Sequence, residues 1–139
     1  MPHELQPIGK AVKRAQYRQH RALDSRLAAV GTTLAQWDAL RAIDASPGAS
    51  ARELAVATFQ SEQAFGTLAG RLVALDLIER RPGAGRRIEH YLTASGERVL
   101  AAGHRVADDV LAACFAPLSA VERGLLLELL HRLTEDENA

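Results

Sequence analysis

The sequence predicts a mainly α-helical fold with one small β-hairpin, and three observations predict it. Between Ser50 and Leu75 two short helical patterns follow one another across a tight break. After Asp76 the hydrophobic period changes from helical to extended, and Pro82-Gly-Ala-Gly85 splits the new stretch with turn residues. On both sides lie longer helical patterns with more apolar surface than one small core needs. A helix–turn–helix followed by a hairpin is a winged helix. The expected architecture is therefore one domain over 1–139, a winged helix–turn–helix (34–93) between an N-terminal dimerisation helix (1–33) and C-terminal dimerisation helices (94–139).

Each element has a local reason. Residues 8–30 read as one long helix, with Ile8, Val12, Leu23, Leu27 and Val30 apolar and alanines between them. Gly31-Thr-Thr33 ends it and starts a second helix, in which Leu34, Trp37, Leu40 and Ile43 recur at three-residue steps. On that stripe Trp37 is a core anchor. Ser46-Pro-Gly48 stops the second helix, because proline opposes helical continuation and glycine frees the turn. Ser50-Ala-Arg-Glu53 is a capping-box pattern, and Leu54, Ala55 and Phe59 give the helix behind it an apolar side. Ser61 caps the next helix. There Ala64, Phe65, Leu68, Leu72 and Leu75 form an inward stripe, and Glu62, Gln63, Gly66, Thr67 and Gly70 leave the opposite side small and polar. Leu77–Arg81 and Arg87–Leu92 are the two strands of the hairpin. Thr93-Ala-Ser-Gly-Glu97 opens a long helix carrying Val99, Leu100, Val106, Val110, Leu111, Cys114 and Phe115, which Pro117 breaks. Ser119-Ala-Val-Glu122 is another capping box, and the helix behind it spreads Val121, Leu125, Leu126, Leu129, Leu130 and Leu133 around more than one side. Such surplus in terminal helices points to burial by a partner, most simply a second copy.

Composition narrows the function classes. Apolar residues make up 47% and aromatics 4%, which favours helices and gives no reason to expect disorder. The single Cys114 excludes an internal disulfide and a multi-cysteine zinc site, and suits a reducing compartment. No apolar run approaches the roughly 20 residues that span a bilayer, and no signal-peptide plan is visible. A soluble, cytoplasmic protein without membrane contact is the expectation. The 17 basic and 17 acidic side chains cancel, so a nonspecific nucleic-acid coat is disfavoured and local distribution matters more. The N-terminal region is basic, and Glu135-Asp-Glu137 is acidic.

The candidate chemistry sits on the hairpin. Arg80, Arg81, Arg86 and Arg87 lie around its tip with no acidic residue among them, suited to phosphate oxygens or a narrow minor groove. Standing directly behind a helix–turn–helix, they point to DNA. Catalysis lacks a footing: Gly83-Ala-Gly85 opens no helix as a phosphate-binding loop must, and Ser61, Ser95 and Ser119 are helix-start residues. No cofactor is implied. A metal-responsive regulator would draw on His104 and Asp108, four apart on one helix, with His20 approaching, but zinc needs three or four converging ligands. A redox-responsive one would use Cys114, whose apolar stretch reads instead as an inert core position. A winged helix used only for protein contact would fit the neutral charge and Glu62 on the outward side.

The element order, with LAQWDAL at Leu34–Leu40, LVALDLIERR at Leu72–Arg81, LTASG at Leu92–Gly96 and LSAVER at Leu118–Arg123, resembles the MarR family of transcriptional regulators across nearly the whole chain. The resemblance implies a homodimer held by the terminal helices, each protomer facing one half of a pseudo-palindromic double-stranded operator. It makes Ser61–Leu75 the recognition helix, with Ser61, Gln63, Gly66, Thr67 and Arg71 toward the major groove and Arg86 as the wing arginine. It also implies repression, released by a small aromatic or phenolic effector between the dimer helices and the winged module, where Tyr17 and Arg21 would lie. Two departures stand out. Ala84 replaces the aspartate that usually braces the wing, and Glu62 and Thr67 stand where the family often has basic residues.

Overall fold

A computed structural model describes residues 2–135; Met1 and residues 136–139, including Asp136 and Glu137 of the acidic tail, lie outside the described residues. Among the described residues the α-helices are α1 (Leu5–Leu27), α2 (Leu34–Ala45), α3 (Ala51–Ala57), α4 (Glu62–Ala74), α5 (Ala94–Phe115) and α6 (Ala120–Thr134). The strands β1 (Ile78–Pro82) and β2 (Ile88–Leu92) pair antiparallel, with Ile78 opposite Leu92 and Pro82 opposite Ile88. The expected first helix thus starts three residues earlier than its apolar pattern, and its last turn, Ala28–Val30, tightens to 3-10 geometry before Gly31 turns left-handed at φ 81°.

Helix starts follow the local signals. Thr33, Ser50 and Ser119 each form a complete capping box, with Gln36, Glu53 and Glu122 respectively. Ser61 and Thr93 accept from the amides of Ala64 and Gly96, both at 3.0 Å. The core gathers between α1, α2, α4, β1 and α5. Leu27, Leu40, Phe65 and Leu72 are fully buried in it. Trp37 anchors this core as expected. It is 3% exposed, and its Nε1 donates to the Leu100 carbonyl of α5 at 3.3 Å. α5 lies so close that a Cβ at Gly103 would overlap the Trp37 indole, and one at Gly96 would overlap the Leu77 carbonyl. These two contacts explain why glycine recurs on an otherwise alanine- and valine-rich helix.

Several expected core positions are at the surface. Phe59 does not belong to the apolar side of α3. The chain turns left-handed there (φ 59°) to reach Ser61, and the ring is 91% exposed. Ala64 and Leu75 are also exposed; the buried stripe of α4 is Phe65, Ala69 and Leu72, with Leu68 partly covered. Cys114 is exposed, since α5 turns Val110 rather than Cys114 into the core. α6 buries none of its residues in the chain, and Leu5, Ile8 and Val12 of α1 are likewise exposed. No single helix among the described residues is long and apolar enough to cross a membrane.

Candidate nucleic-acid interface

α4 presents its polar side outward. Ser61, Gln63, Thr67 and Arg71 are exposed, and Gly66 is partly so. Ser61 is committed as the cap. The Thr67 hydroxyl donates to the Gln63 carbonyl one turn earlier at 3.2 Å, so Gln63 is the longest uncommitted polar side chain in the first half of this surface after Glu62. The first amides of α4 point outward at its N-terminus, where the helix dipole favours an anion.

The hairpin is fastened to this helix–turn–helix at several points. Gly48 N–H donates to the His90 carbonyl at 2.9 Å and His90 N–H to the Ala49 carbonyl at 3.1 Å, so the loop before α3 runs as an extra rung beside β2. Thr93 Oγ1 donates to the Asp76 carbonyl at 2.6 Å, which closes the base. At the tip, Gly83 N–H donates to the Arg87 carbonyl at 2.8 Å and Arg87 N–H to the Ala84 carbonyl at 3.1 Å.

The four arginines, equivalent in sequence, are separated by the fold. Arg80 Nη2 donates to the Gly66 carbonyl of α4 at 3.2 Å. Arg81 lies over the Tyr91 ring, 4.2 Å from its centroid, and pairs with Glu79. Arg87 reaches back to α3, with Nη1 2.6 Å from Glu53 Oε1, Nη2 donating to the Gly48 carbonyl at 3.1 Å, and Nε 3.9 Å from Glu89. No acidic residue stands among the four in the sequence, yet the fold brings Glu53, Glu79 and Glu89 to them from α3 and from the strands. Arg86 is exposed at the turn and alone of the four has no partner among the described residues. The Arg87 guanidinium, with help from Ser50, holds the Glu53 carboxyl below its ordinary range, and Glu53 in turn raises Arg87.

Two features escaped the sequence reading. His90 is 2% exposed beneath α4, with its ring edge-on to Phe65 at 6.0 Å and Nδ1 donating to the Ala49 carbonyl at 2.9 Å. Burial lowers its pKa; the Ala49 hydrogen bond opposes this and the Arg80 charge adds to it. Alternation Ile88, His90, Leu92 was the available signal. The second is the Glu53–Arg87 pair, invisible because its members are separated by 34 positions.

Away from this face, Tyr17 and Arg21 do come together. Arg21 Nη1 donates to Tyr17 Oη at 3.4 Å, and the two line a cavity of about 570 Å³ with Arg18, Cys114, Phe115 and Pro117. His104 packs edge-on against Trp37 at 5.4 Å, and no group of three or more His, Cys, Asp or Glu among the described residues could hold a metal ion.

Comparison with known proteins bears on this arrangement. Residues 30–88 match the family model described as MarR family. Comparison with curated proteins gives no match. Among solved structures, a probable transcriptional regulator from Pseudomonas aeruginosa is 28% identical, with a TM-score of 0.82 over 91% of this chain and 96% of that one. A Mycobacterium tuberculosis MarR family protein, solved in complex with p-aminosalicylic acid, is 26% identical, with a TM-score of 0.76 over 91% of this chain and 98% of that one. A mutant Escherichia coli MarR complexed with operator DNA is 23% identical and shares the fold, with a TM-score of 0.87 over 94% of this chain and 95% of that one. The winged module thus matches the MarR family model, and the whole chain is similar in fold to winged helix–turn–helix transcriptional regulators.

Proposed function

We propose that the chain acts as a homodimeric, sequence-specific double-stranded-DNA-binding repressor in the cytoplasm, released from a pseudo-palindromic operator by a small phenolic or aromatic ligand. The observation that carries this reading is the pairing of an exposed polar face on α4 with an unpartnered Arg86 on the hairpin fastened beside it. Two such modules related by a two-fold axis reach major grooves about one helical turn, 34 Å, apart. Ser61, Gln63, Gly66, Thr67 and Arg71 face the groove, and Arg86 enters the flanking minor groove or its phosphates. The exposed leucines of α6, with the exposed Leu5, Ile8 and Val12 of α1, supply the dimer interface. Support for an effector comes from the cavity at Tyr17 and Arg21: Arg18 and Arg21 suit a carboxylate, while Tyr17 and Phe115 offer rings to an aromatic body. The relative solved with p-aminosalicylic acid has that ligand chemistry.

Fluorescence anisotropy on duplex DNA from upstream of the protein's own gene, beside a scrambled duplex and across a salt series, tests the reading. Preferential, salt-sensitive binding that salicylate weakens is the expected result. No preference on any duplex, including pools from a random-sequence selection, would replace DNA readout with protein contact. Within the site, Arg86→Gln should weaken all sequences alike, because groove and phosphate contacts position more than they specify. Gln63→Ala should instead change which base is preferred at one half-site position, by about 10-fold for a lost amide–base pairing. Equal losses on every sequence for both variants would sink that division of roles.

A further inference from the structure

We infer that Arg87, through Glu53, is a positioning residue that sets the wing against the helix–turn–helix. The inference rests on the DNA-binding reading above. Arg87 is where two sets of bonds meet. Its backbone closes the tip, through Gly83 N–H to its carbonyl and its own N–H to Ala84. Its side chain spans from the hairpin to the α3 cap, gripping the Gly48 carbonyl and the Glu53 carboxylate at once. A guanidinium can do this because its donors diverge from one rigid plane.

Glu53 is fixed independently, since it is the first-turn partner, three residues on, in the Ser50 capping box and accepts from both the Ser50 amide and hydroxyl. The brace is thus anchored in a helix start rather than in a mobile side chain. It also stands in for what position 84 lacks: Ala84 has no carboxylate to hold the tip, and a carboxylate reaches the wing from α3 instead. Arg80, bonded to the Gly66 carbonyl, is a second tie from β1 to α4. With the hairpin held at both strands, Arg86 is delivered beside the recognition helix in one place, its guanidinium uncommitted.

A positioning role and a phosphate-binding role predict opposite signs at Glu53. Removing a negative charge beside DNA should tighten binding if electrostatics alone operate; it should loosen binding if the carboxylate holds the wing. Glu53→Gln is suitable because glutamine still completes a capping box. The experiment compares wild type, R86Q, R87Q, E53Q and the R87Q/E53Q double variant on the selected operator across salt. R86Q should lower the slope of log affinity against log salt by about one, the signature of one lost phosphate contact. R87Q and E53Q should each weaken binding by about 10-fold with the slope unchanged, and the double variant should be no worse than either single one, as expected of a shared contact. Amide exchange at Gly83 and Arg87 in the free protein gives a readout without DNA: faster in R87Q and E53Q, unchanged in R86Q. Tighter binding by E53Q, or a slope loss in R87Q equal to that in R86Q, would overturn the inference. So would unchanged tip exchange in R87Q and E53Q, whatever the DNA result. If wild type itself prefers no operator while the exchange pattern holds, the brace stands and the DNA reading falls.

Discussion

His90 sits at a position where the pleat of β2 turns a titratable ring inward, under Phe65 and within reach of the Arg80 charge. With Nδ1 bonded to the Ala49 carbonyl, the neutral ring is satisfied as it stands. Protonation would place a second cation in a poorly solvated site near Arg80. The folded pKa lies below the ordinary 6.5, so the unfolded chain binds the proton more readily. Stability contributed by His90 is therefore complete above about pH 6.5 and drains as pH falls toward the folded pKa. Urea unfolding between pH 8 and pH 5 should show stability declining below pH 6.5, and His90→Gln should flatten that decline. A variant with the wild-type slope would assign the proton uptake to another group. At this scale the sequence is a partial guide. Trp37 announced itself by its stripe, and the alternation around His90 was readable. The Arg87–Glu53 contact was not, because nothing local links a helix cap to a hairpin tip.

The elements were the most legible level, since the starts of α2 to α6 are each encoded within four residues. Ser50 with Glu53, Ser61, Thr93 and Ser119 with Glu122 all cap the helices they were expected to open. Stripes were read less well where an element ends. Leu75 and Phe59 continue an apolar period past the point at which the backbone has already left the helix, so the side chains emerge into solvent. For α4 the cap bears on function as well as stability. Ser61 Oγ accepts from Ala64 N–H at 3.0 Å and orders the first turn, which carries the exposed Gln63. Ser61→Ala should cost about 1 kcal/mol of unfolding free energy, the usual loss for a cap side chain. Its operator affinity should fall while Ser61→Asp, which can cap, retains stability. Equal stability of the Ala variant by thermal unfolding would mean that packing of Phe65 and Leu72, not the cap, fixes the start of the helix.

On the scale of the molecule, the division of apolar surface matters most. The winged module buries its own core, with Phe65, Leu40, Ile43 and Leu72 all below 2% exposure. α6 does the opposite. Val121 and Leu133 are 83% and 73% exposed, and Leu125, Leu127, Leu129 and Leu130 are also open, a helix apolar on several sides that buries none of its residues among the described ones. The surplus was visible in sequence because it is a matter of counting; which faces a partner covers was not, because only the packed chain shows what remains uncovered. Each leucine covered by a second copy is worth about 1.5–3 kcal/mol, so a few of them suffice for a stable dimer. Leu129→Glu together with Leu133→Glu alters side chains that the protomer does not bury, so the winged module should stay folded by circular dichroism. Sedimentation equilibrium should show the mass falling from twice the 15.0 kDa chain to a single chain. Operator affinity should drop by about 100-fold or more, since the second half-site is then no longer bound intramolecularly. Half-site binding should survive, because α4 and Arg86 belong to one protomer. A double variant that remains dimeric with full affinity would move the interface off α6, leaving its leucines for another partner.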